Sequence, residues 1–135
     1  MKYYSTNKSV PPVALMEAVT KGLANDNGLF MPERILKFHP SFFDRIHQMS
    51  FQEIAFEVAK RFFGEDVPEN TLKELVYDTL SFDCPVVKVN DSIYSLELFH
   101  GPTLAFKDVG GRFMARLLGY FLQGFKKEVN VLVAT

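Results

Sequence analysis

Cysteine is almost absent from the 135 residues. Cys84 stands alone, which excludes an internal disulfide and a multi-cysteine zinc site and agrees with a reducing, cytoplasmic location. Neither sign of charge is in excess: 15 Lys and Arg face 16 Asp and Glu, for a formal charge of -1, with no basic or acidic block. Nucleic acid is therefore not the expected partner. No run reaches the roughly 20 consecutive apolar residues that span a bilayer. Residues 1–8 also lack the apolar stretch of a signal peptide, so neither membrane insertion nor secretion is expected. Tryptophan is missing, and no internal repeat or low-complexity tract occurs.

What is present is large apolar surface. Fourteen Phe and five Tyr, in a chain 47% hydrophobic and 23% charged, suit a soluble globular domain whose core needs no disulfide or metal staple. After Pro11-Pro12, Val13, Met16, Val19 and Leu23 recur at helical spacing and predict a helix closed near Gly22. Asn25-Asp26-Asn27-Gly28 is a turn signal, and Leu29-Phe30-Met31-Pro32 leaves it extended. Ser50 and Glu53 have capping-box spacing ahead of a helix with Phe51, Ile54, Ala55, Val58 and Phe62 on one face, stopped by Gly64. Another helix is predicted from Glu69, with Leu72, Leu75, Val76 and Leu80 inward.

Beyond Leu80 the apolar period shortens toward two. Residues 85–89 and 93–98 flank Asn90-Asp91-Ser92 and predict a hairpin. Thr103 is placed to cap a helix reaching about Leu122, with Phe106, Val109, Phe113 and Leu117 on its apolar face. Residues 129–134 form a nearly continuous apolar run, as in a strand buried on both faces. The expected fold class is α/β: a mostly helical N-terminal region over residues 1–80, then a hairpin, a helix and the first strand of an incomplete α/β domain over residues 81–135. A helix feeding a buried strand lacks the layers that would cover it, so the chain is expected to be part of a longer protein.

Local rules are broken together in Leu98-Phe99-His100-Gly101-Pro102-Thr103-Leu104-Ala105-Phe106-Lys107-Asp108-Val109-Gly110-Gly111. Lys107 falls in the first helical turn, where the macrodipole disfavours a cation but suits Asp108. Apolar surroundings beside that helix end would favour the free amine, a nucleophile able to form a Schiff base and move protons. A snorkelling surface lysine is the competing reading. Gly110 and Gly111 cost about 1 kcal/mol each relative to Ala in a helix, which close packing against a sheet would offset. Phe106 offers a flat apolar face beside the amine. His100 suits either a turn or a substrate contact, and Thr103 either a helix cap or a ligand. Arg112, about 140° around an ideal helix from Lys107, faces elsewhere. His39, His47 and Cys84 lack metal-ligand spacing, so no metal site is expected; Asp66 and Glu69 fit a helix-start charge preference.

The segment Thr103-Leu104-Ala105-Phe106-Lys107-Asp108-Val109-Gly110, with Glu97 upstream, resembles the pyridoxal-phosphate attachment segment of the fold type II superfamily of threonine synthases, threonine dehydratases and cysteine synthases. The longer run from Leu96 to Asp108 is similar to the threonine synthase branch. Tyr4-Ser5-Thr6 and the pattern from Ala18 to Pro32 resemble the opening of that branch, with Asn27 where Gly is usual and Asn7 where Arg is common. The resemblance implies pyridoxal 5'-phosphate held by Lys107 as a Schiff base, Phe106 packed near its ring, and O-phospho-L-homoserine and water converted to L-threonine and phosphate. It also implies that the cofactor-phosphate loop and most substrate-phosphate ligands lie past Thr135, in the remainder of the parent chain, and that the 135 residues alone are inactive. Alternatives are a phospholyase acting on a related phosphorylated amino acid and, for the isolated chain, a noncatalytic interaction module.

Overall fold

The computed structural model describes residues 1–123 and 129–132. Strand β1 (Lys2–Ser5) lies between β2 (Val13–Ala14) and β3 (Phe30–Pro32) in an antiparallel sheet of order β2-β1-β3. Tyr3 is opposite Val13 on one side and Pro32 on the other, and Ser5 is opposite Phe30. Alternation along β1 turns Tyr3 and Ser5 inward, and both are buried. The Tyr3 hydroxyl donates to the Phe62 carbonyl at 2.8 Å, so its ring is buried with its polar tip satisfied. Burial pushes that phenol up to about 12.

The turn leading into β3 forms as the sequence indicates, with Asn27 at φ 63°. Asp26 organises it: Oδ1 accepts the Ser5 hydroxyl at 2.6 Å and the Gly28 N–H at 3.0 Å, and Oδ2 accepts the Ser9 N–H at 3.0 Å. A Cβ at Gly28 would lie 2.0 Å from Ser5 Oγ, so this crossing of two segments requires glycine.

The first helix begins later than the pattern predicts. Val13 is drawn into β2 by pairing with β1, and α1 spans Leu15–Lys21 before closing at Gly22, φ 72°. Its buried residues are Leu15 and Ala18, whereas Met16 and Leu23 are exposed. The expected stripe is thus rotated, because the sheet fixes where the helix starts. A short helix α2 (Pro40–Arg45), capped by His39 Nδ1 accepting the Ser41 N–H at 3.3 Å, precedes a 3-10 turn, Ile46–Gln48.

Helix α3 (Phe51–Phe63) carries the expected capping box: Ser50 Oγ accepts the Glu53 N–H at 3.2 Å, and Glu53 Oε2 accepts the Ser50 N–H at 2.7 Å. Phe56 and Ala59 are its buried residues; Phe51 and Ala55 border the core, and Val58 is exposed. Helix α4 (Glu69–Thr79) buries Leu72 and Val76, with Leu80 just past its end. These side chains meet Tyr3, Leu15, Ala18, Val67 and Leu117 in one core.

The hairpin is present as β4 (Val86–Lys88) and β5 (Tyr94–Leu96), with Val86 opposite Leu96 and Lys88 opposite Tyr94. Asn90 Oδ1 accepts the N–H groups of Ser92 and Ile93, both at 3.0 Å, and closes the connection. Helix α5 (Lys107–Phe121) packs against α1 and α4 and contributes Leu117. It starts four residues after Thr103. Residues 129–132 of the anticipated terminal strand have no strand structure, since a ladder needs a neighbour and the described strands pair among themselves; residues 133 and 134 lie outside the described residues.

Candidate functional site

A tight turn over residues 101–106 sets the start of α5. Leu104 adopts φ 56°, and its N–H donates to the Gly101 carbonyl at 3.0 Å. A positive φ at a residue with a side chain cannot continue a right-handed helix, so Thr103 is not the cap that its sequence position suggests. Phe106 is the N-cap, and it makes no side-chain cap hydrogen bond. The turn is held from inside by Asp108, which is 4% exposed and whose Oδ2 accepts the Thr103 N–H at 2.8 Å. A Cβ at Gly101 would come within 2.5 Å of that Oδ2 and 2.7 Å of the Asp108 Cβ, so this packing requires glycine.

The neighbours of Asp108 point the other way. Phe106 is 74% exposed, Leu104 is 76% exposed, and Lys107 is exposed with them. The apolar enclosure anticipated for Lys107 is therefore not found among the described residues. Successive helical positions are about 100° apart, so a turn that buries Asp108 directs Lys107 outward. Upstream, His100 Nε2 lies 2.7 Å from Glu97 Oε2, and the His100 ring stacks on Phe99 with centroids 4.7 Å apart. Thr103 is exposed and contributes its backbone N–H to the turn.

Arg112 faces away from Lys107, as its spacing predicts. Its guanidinium donates to the carbonyls of Thr79 and Asp78 at 3.1 and 2.9 Å and to Ser81 Oγ at 3.2 Å, which ties α5 to the C-terminal end of α4. Arg116 pairs with Asp78, and that hydrogen bond holds the Asp78 carboxyl below its ordinary range. The half-buried Cys84 thiol is pushed up, first by burial and then by Asp83. The sequence pattern did not reveal the partnership of Gly101 with Asp108; a glycine seven residues before an acidic residue at a helix start is the available signal.

Residues 2–80 match the family described as threonine synthase N terminus. The chain belongs to the threonine synthase family. It is 39% identical over 135 residues to threonine synthase of Serratia marcescens, an alignment covering 100% of the chain and 31% of that relative. The crystal structure of threonine synthase from Escherichia coli superposes with a TM-score of 0.84 at 38% identity, over 90% of this chain and 28% of that one. A threonine synthase from Brucella melitensis, solved with pyridoxal phosphate bound, gives a TM-score of 0.85 at 35% identity, over 91% and 28%. The chain thus spans about a third of the threonine synthases it matches, and the alignment with the Serratia relative includes the Lys107 segment. No helix among the described residues is long and apolar enough to cross a membrane.

Proposed function

We propose that this chain supplies the cofactor-binding lysine of a cytoplasmic enzyme that converts O-phospho-L-homoserine and water to L-threonine and phosphate. The observation that carries the reading is Lys107 at the exposed first turn of α5, in a chain aligned end to end with a threonine synthase. The donor set fits pyridoxal 5'-phosphate: a primary amine suits its aldehyde, and exposed Phe106 and Leu104 are apolar surfaces suited to a flat ring. When bound, the cofactor supplies an electron sink for the substrate carbons.

The protein's residues supply binding and proton traffic. Lys107 Nζ would hold the cofactor through its aldehyde, and the free amine would carry the proton removed from the substrate Cα. Phe106 forms an apolar wall beside the amine. One Cβ proton leaves and the γ C–O bond breaks with departure of phosphate; water then supplies the hydroxyl at Cβ while a proton is delivered to Cγ and the Cα proton is restored. Thr103 and His100 are proposed as substrate contacts; both are exposed on the same segment, and the Glu97 carboxylate lies 2.7 Å from His100 Nε2, where it can orient the imidazole. The division into residues 1–80 as scaffold and 81–135 as the beginning of the catalytic domain is part of this proposal. So is the assignment of the phosphate-binding loop to the remainder of the parent protein.

The test is an assay of the full-length protein for threonine and phosphate release from O-phospho-L-homoserine. Lys107→Ala is expected to lower turnover by roughly 10³-fold or more, as loss of a general acid–base group does. Lys107→Arg should fail as well, because the guanidinium remains protonated. Phosphate release without threonine would assign the site to a related phospholyase.

A further inference from the structure

We propose that Asp108 is the positioning residue for the Lys107 amine, an inference that rests on the functional reading above. A buried carboxylate is costly unless its oxygens are hydrogen-bonded. Asp108 Oδ2 receives the Thr103 N–H at 2.8 Å, and the side chain lies in the first turn of α5, where the helix dipole favours an anion. The same residue donates its own N–H to the Ala105 carbonyl at 3.1 Å, so one residue fastens the turn at two points, residues 103 and 105.

Two further observations show how closely this turn is specified. Gly101 is packed so tightly on Asp108 that a Cβ would approach Oδ2 to 2.5 Å. Leu104 is held at φ 56°, a conformation disfavoured for a side chain with Cβ and retained where surrounding contacts impose it. The chain from Gly101 to Phe106 therefore has little freedom, and Lys107 follows it directly. That turn sets the position of the Lys107 backbone and so the point from which its side chain starts. Asp108 fixes that place.

The experiment uses the full-length protein loaded with pyridoxal 5'-phosphate. Asp108→Asn keeps the acceptor and the size; Asp108→Glu keeps the charge but lengthens the reach by one methylene. For Asp108→Glu we expect kcat to fall about 100-fold with KM within about threefold, and for Asp108→Asn a kcat within about fivefold of the parent. The absorbance maximum of the bound cofactor should shift in the Glu variant alone; the thermal unfolding midpoint should hold in Asp108→Asn and fall in Asp108→Glu, whose added methylene has no room beside Gly101, so kcat is read well below both midpoints.

Parental kcat and absorbance in Asp108→Glu would overturn the proposal. So would an equal loss in the Asn variant, which would point to charge, or a loss of kcat in the Glu variant without a shift of the cofactor absorbance, which would point to stability alone. Lys107→Ala, run alongside, separates the two failures. Parental cofactor absorbance in that variant overturns the functional reading, whereas its loss together with an unaffected Asp108→Glu variant overturns positioning only.

Discussion

Gly110 and Gly111 lie on the exposed side of α5, where a Cβ would meet nothing within 4 Å at either position. Close packing against a sheet, the explanation their helix cost suggests, does not operate among the described residues. Replacing Gly111 by Ala should then stabilise the 135-residue chain by up to about 1 kcal/mol, through helix propensity and a less free unfolded state. A urea midpoint that stays put or falls would mean that the glycine is needed for a contact. Asp26 makes a prediction of opposite sign. The Ser5 hydroxyl, followed by the N–H groups of Gly28 and Ser9, holds its carboxyl below the usual aspartate value. A carboxyl depressed in the folded state stabilises the fold above its unfolded pKa, and that contribution is lost as pH falls through the folded pKa. Asp26→Asn should accordingly lower the urea midpoint at neutral pH, with the gap to the parent closing in acid. A gap constant down to the lowest pH would remove the charge from the explanation.

At the scale of elements, Ser50 offers the most direct test of what local sequence specifies. Ser50→Ala removes the cap of α3 and should cost about 1 kcal/mol, read as a lower unfolding midpoint. Where a signal is local, as at this capping box, the Gly22 stop or the Leu72, Val76 and Leu80 spacing, the sequence shows the element directly. Where the partner is distant, it does not. Lys2-Tyr3-Tyr4-Ser5 is too short to show a period, and it becomes a strand because Val13 and Phe30 to Pro32 flank it. The same pairing takes Val13 out of α1 and turns Leu15 and Ala18 inward. The Lys107 segment follows this division. Its proposed chemistry is indicated by the resemblance of Leu96 to Asp108 to the family's attachment segment, whereas the start of α5 depends on the Asp108 carboxylate reaching back five residues to the Thr103 N–H.

For the whole molecule, the core and the chemical segment are separately built. Leu15, Leu72, Val76 and Leu117 bury together, whereas Leu104 and Phe106 are largely exposed, as are Val86, Tyr94 and Leu96 of the hairpin. An amine on such an open surface can condense with an aldehyde, but that bond is reversible. Retention of the cofactor requires enclosure of its ring and oriented donors at its phosphate, usually backbone N–H groups at a helix N-terminus. In the described residues α5 begins at Lys107 itself, and the N–H groups of Asp108 and Val109 are already bonded to the carbonyls of Ala105 and Phe106. The 135-residue chain alone should therefore bind pyridoxal 5'-phosphate weakly and show no turnover of O-phospho-L-homoserine. The full-length protein, about three times longer in the relatives it matches, should bind the cofactor tightly and turn over the substrate. Titration of the chain with cofactor, followed by absorbance and repeated with Lys107→Ala, measures the difference. Tight stoichiometric binding lost in the variant would show that these residues already hold the phosphate, and would place its donors in this chain.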